Sequence, residues 1–200
     1  MSEEYMPLDE MLEIIARSED PTDAFENILA LGEEHFESEI WGEFMEMELE
    51  DDIDLAAEWL QKNYDRFPQS TGIWLGVETA HMDDIEGMNL EVGFSKTCNP
   101  ADDATEWSYD CADFGEPLLL PGLYEVAYAF ELQEFDQDER EYAEYLVCLG
   151  YTGLVLREAL KKLKSNQDFM AIWGFVEGDA FGLLRKKGSQ FEVITHLDAE

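Results

Sequence analysis

The runs Ile172-Trp173-Gly174-Phe175-Val176, Phe181-Gly182-Leu183-Leu184-Arg185 and Phe191-Glu192-Val193-Ile194-Thr195 are rich in aromatic and β-branched residues. Between them lie Glu177-Gly178-Asp179 and Lys187-Gly188-Ser189, glycine-centred links of the kind that close hairpins. A parallel crossover needs roughly a dozen residues or more. These three runs therefore predict an antiparallel meander, which places the chain in the α+β class rather than α/β.

Working back from the meander, Tyr142, Leu146, Leu149, Gly153, Leu156, Leu160 and Leu163 recur at alternating spacings of 4 and 3. That period lays one apolar stripe along a long amphipathic helix. Asp136 and Glu139 stand as a capping pair at its start, and lysines in its last turn complement the helix dipole. Gly150 and Gly153 are the expected kink points. Further back, Ile73–Val77, Leu90–Phe94 and Trp107–Cys111 read as strands between Gly, Asn, Asp and Pro. Ile73–Val77 and Ile172–Val176 look alike, as two strands of one sheet do without any duplication.

The first third is helical. Leu8, Met11, Leu12 and Ile15 form one stripe behind Pro7, and Asp20-Pro21 is an N-cap followed by proline at the first helical position. The helix from Pro21 carries Phe25, Ile28 and Leu29, weakens at Gly32 and is expected to continue through Phe36, Ile40, Trp41 and Phe44 to about Leu49. A third, from about Asp52–Asp54, places Ala56, Trp59, Leu60 and Tyr64 on one side and ends before Pro68. The expectation is thus an N-terminal helical region followed by an antiparallel sheet packed against a long amphipathic helix. Residues 1–68 form a helical acidic subdomain and residues 72–200 an α+β domain, or the two are one continuous domain.

Charge is the unusual property of this chain. Its 200 residues hold 48 Asp and Glu against 12 Lys and Arg, for a net charge of −36, while 46% of residues are hydrophobic and 12% aromatic. So many large apolar groups predict a folded core despite the charge. Such a surface is unfit for direct nucleic-acid binding or for anionic lipid, both of which are held by basic residues. Solubility needs far less charge, and −36 costs folding energy through self-repulsion. Halophile adaptation fits less well, since Glu (30) outnumbers Asp (18).

The charge is also polarised along the chain. Residues 1–60 hold 21 acids and one base, Arg17, for −20; residues 61–156 hold 20 acids and four bases, for −16. Residues 157–187 reverse the sign, with seven bases to four acids. Self-assembly, with the basic 157–187 segment of one copy on the acidic face of another, is one reading of that asymmetry.

Catalytic signatures are few. Glu78-Thr79-Ala80-His81 has the spacing of one half of a di-iron motif but occurs once, with Glu78 in an expected strand. His81, Asp83 and Asp84 form the alternative site, a weak divalent-metal position for a small enzyme or metal-dependent binder. Cys98, Cys111 and Cys148 have no disulfide or CxxC spacing, and the acids around Cys98 and Cys111 disfavour a thiolate pair with His81 or His196. No cofactor is expected, and the reading is non-enzymatic.

The candidate binding segment is Trp41-Gly42-Glu43-Phe44-Met45-Glu46-Met47-Glu48-Leu49-Glu50-Asp51-Asp52, where large apolar groups interleave with acids. As one helix it sets Glu43, Glu46 and Glu50 in a row at i, i+3 and i+7, with neighbours about 5–6 Å apart. Trp41, Phe44 and Met47 would supply apolar contact, and Asp51 and Asp52 further charge. The expected partner is a basic protein, such as a nuclease-type toxin or a nucleic-acid-binding protein.

The Gly72-Ile73-Trp74-Leu75 strand, Glu106-Trp107-Ser108-Tyr109, the long helix and Trp173-Gly174-Phe175-Val176-Glu177-Gly178-Asp179 together resemble uncharacterised bacterial immunity-type domains over residues 73–195. The resemblance implies a cytoplasmic toxin-neutralising protein and carries no site residue with it. The opening Met1-Ser2-Glu3-Glu4 lacks the basic and apolar regions of a signal peptide, and no apolar run approaches the roughly 18 residues of a membrane helix. Both point to the cytoplasm.

Overall fold

The structure, a computed structural model, describes residues 7–36, 40–82, 85–102, 106–108, 111–132, 137–176 and 180–194, with backbone alone for 79–82, 85–87, 106, 131–132 and 137–142. It is an α+β fold. Four helices open it: α1 (Leu8–Arg17), α2 (Pro21–His35), α3 (Trp41–Phe44) and α4 (Leu49–Tyr64). Strands β1 (Gly72–Met82) and β2 (Ile85–Ser95), a 3-10 turn (Glu106–Ser108) and the short β3 (Asp113–Phe114) follow. Helices α5 (Pro121–Leu132) and α6 (Gln137–Lys162) lead to β4 (Phe169–Phe175), β5 (Ala180–Lys187) and β6 (Gln190–Val193).

The sheet has the order β3-β2-β1-β4-β5-β6. Its C-terminal half is the expected antiparallel meander. Gly188, at φ +61°, turns β5 into β6, and Asp168 Oδ1 accepts its N–H at 2.7 Å. The sheet as a whole is mixed rather than antiparallel, because β1 and β4 run parallel at its centre, from Gly72↔Met170 to Val77↔Phe175. The chain between them contains α5 and α6, ample length for a crossover that the short meander links exclude. The two similar runs are thus adjacent central strands.

Alternation along the strands separates the sheet's faces. Ile73, Leu75 and Val77, with their partners Phe94, Val92 and Leu90, point inward, as do Phe169, Ala171 and Trp173. They join one core that also takes Met11, Ile28, Trp41, Leu60 and Tyr151, so residues from both 1–68 and 72–200 are packed in it. Against this face lies α6, whose residues 146–157 are all buried. Trp173 Nε1 donates to Leu149 O at 3.4 Å, and Tyr145 stacks on Phe175 at 4.7 Å. A helix enclosed on all sides is apolar all round, so the single stripe expected of α6 captures only part of its contact surface. Its glycines are close-approach points: a Cβ at Gly150 would lie 2.8 Å from Ile28, and one at Gly153 would lie 2.9 Å from both Ile15 and Trp173.

Three local departures have physical causes. The chain leaves α2 at His35 instead of continuing to Leu49, and the Trp41 ring returns onto Gly32, where a Cβ would sit 2.6 Å from it. Where a strand was expected from Trp107, Trp107 and Ser108 instead lie in the 3-10 turn, with the Trp107 ring over Gly72 on the outer face of the sheet; Tyr109 and Asp110 lie outside the described residues. Helix α5 appears where none was expected. It begins with proline, turns Leu123, Val126, Ala127 and Phe130 inward, and is capped from a distance by Asp52, whose Oδ2 accepts the Gly122 N–H at 2.8 Å. Asp136 lies outside the described residues.

Candidate functional site

The 41–52 segment is divided between the core and the surface. Trp41 is 3% exposed, donates from Nε1 to Phe36 O at 2.9 Å and meets Phe130 edge-on at 6.3 Å. Phe44 is equally buried, 5.5 Å from Phe130. Met47 is half-buried against the same core. Trp41 and Phe44 are therefore core residues and are unavailable as exposed anchors; Met45, half-exposed, is the apolar side chain that this segment does present.

Asp52 is taken inward too. It is 5% exposed, and its Oδ2 accepts the Tyr151 hydroxyl at 2.6 Å as well as the Gly122 N–H. Burial, together with the Asp52 hydrogen bond and charge, pushes the Tyr151 phenol far up, so it remains a donor. Glu43, Glu46, Glu50 and Asp51 are exposed, but not as a row on one helix: α3 ends at Phe44, and α4 starts at Leu49. Glu50 and Asp51 stand in the first turn of α4, where negative charge also complements the helix dipole.

Around these acids the charge is uncompensated. Arg17 is bound to Glu13 at 3.0 Å and Lys162 reaches Asp54 at 2.6 Å. Among the described residues no cation meets Glu26, Glu33, Glu34, Glu43, Glu46, Glu50, Asp51 or Glu58, all of them exposed. The basic 157–187 segment is largely committed within the chain. Arg157, 1% exposed, donates to the carbonyls of Ile15 and Ser18 at the end of α1, while Arg185 and Lys186 are also buried. Lys161 pairs with Glu158 and Lys187 with Glu192. Lys164 is exposed and pairs with no acid among the described residues.

The structure assembles a second acidic feature that the sequence reading did not single out, on the outer face of the sheet. Trp74, Gly76 and Glu78 alternate outward along β1, and Gly93, Glu91 and Asn89 are their partners on β2. The Trp74 indole lies across Gly76, where a Cβ would be 2.3–2.9 Å from three ring atoms, and it remains partly exposed. Glu91, opposite Gly76, stands diagonally across the ladder from Glu78 on the same face. Burial first, then the neighbouring Glu78 carboxyl, pushes the Glu91 carboxyl above its ordinary 4.5. Phe114, 54% exposed, pairs with Gly93 on the same face. Outward alternation of Trp74 and Glu78 was the available sequence signal, but Glu91 reaches them only through strand pairing.

Glu78 and His81 both lie on β1, so the pair is not on a helix as the di-iron spacing requires. Asp83 and Asp84 lie outside the described residues, as does the side chain of His81. Among the described residues no group of three His, Cys, Asp or Glu is placed to hold a metal ion. Burial pushes the Cys98 thiol up to about 12 and Cys148 well above its ordinary range, so both are neutral thiols. No helix among the described residues is long and apolar enough to cross a membrane. Comparisons of the chain with protein-family models, curated proteins and solved structures found no match.

Proposed function

We propose that this protein is a non-enzymatic acidic binding protein that takes up and neutralises a basic protein partner. Its most specific form is a cytoplasmic immunity protein set against a nuclease-type toxin. The observation that supports the reading is the disposition of charge: nearly all described cations are matched or buried within the chain, while Glu26, Glu33 and Glu34 on α2, Glu43 and Glu46 in and after α3, and Glu50, Asp51 and Glu58 on α4 meet none among the described residues. Carboxylates left so close together repel one another, and a cationic surface relieves that cost. A nuclease presents such a surface where it holds phosphate, so an acidic protein that occupies it competes with the substrate for the same lysines and arginines.

The test uses the whole chain and a small basic ribonuclease as probe, with association rates read at about 20 and about 200 mM salt. Glu43→Lys, Glu46→Lys and Glu50→Lys together are expected to slow association about tenfold and to flatten its salt dependence. Reversing Asp102, Asp168 and Glu192 removes the same charge elsewhere and is expected to have a smaller effect. Equal effects would remove the special place of residues 43–50 and leave the binding to net charge. Absence of binding even at the lower salt would overturn the proposal.

A further inference from the structure

We draw no further inference here: the strongest candidate, the aromatic patch that Trp74 and Phe114 form on either side of Gly93 on the outer face of the sheet, is an apolar surface, and nothing in the structure shows what covers it.

Discussion

Asp52 Oδ2 lies 2.6 Å from the hydroxyl of Tyr151, ninety-nine residues away, and the same oxygen takes the Gly122 N–H at 2.8 Å. One buried carboxylate thereby ties α4 to α6 and supplies the first turn of α5 with its acceptor. Removing the carboxylate leaves a buried hydroxyl and a buried amide without a partner. Asp52→Ala is therefore expected to cost about 3 kcal/mol in urea unfolding. Tyr151→Phe should cost less, about 1–2 kcal/mol, because Asp52 retains Gly122. The double variant should lose less than the sum of the two. A stable Asp52→Ala chain with sharply weakened ribonuclease binding would return Asp52 to the binding surface.

Trp41 and Gly32 form a matched pair, the ring filling the space where a Cβ would sit 2.6 Å away. Trp41→Ala is expected to destabilise by about 3–5 kcal/mol, as for other large buried aromatics. Gly32→Ala should destabilise as well, although alanine is the better helix former, because the ring must shift. Glu43→Gln with Glu46→Gln, on exposed neighbours, should change stability by no more than about 0.5 kcal/mol. Urea unfolding of the four chains separates the core members of the segment from its surface members.

Glu91 carries a pH signature. Its carboxyl titrates above the ordinary 4.5 in the folded chain, so the folded state holds this proton more tightly than the unfolded state does. The resulting stabilisation is fully present below 4.5 and is lost as pH rises through the raised value. Glu91→Gln is neutral throughout and escapes that loss. The variant should gain stability relative to the parent as pH increases from about 4 to about 7. Unfolding curves that keep a constant difference across this window would contradict the raised titration.

Helix α1, the start of α2, most of α4, the β5–β6 turn and the meander were legible because each follows from local chemistry: the Asp20-Pro21 cap, the 3- and 4-residue spacing of apolar groups, and the glycine turn at Gly188; the Glu177-Gly178-Asp179 link lies outside the described residues. The α5 stripe was there to be read as well, behind Pro121, and was obscured by the surrounding coil-like composition. What local pattern leaves open is which of two apolar contacts a residue makes. Trp41 suits an exposed anchor and a core ring equally well as a sequence symbol, and only Gly32, nine residues earlier, resolves it.

The sequence by itself determined the net charge, its concentration in the first sixty residues and the α+β class, since composition and period-2 or period-3.6 patterning do not depend on distant neighbours. Tertiary structure decided which charges remain outside. Asp52 is drawn in because α5 needs an acceptor, and Arg157 because the carbonyls ending α1 need a donor. The parallel β1–β4 pair and the meeting of Glu78 with Glu91 have the same origin. Both arise from pairing between segments whose separation along the chain carries no local signal, and burial then fixes the register by placing one set of alternating side chains in the core.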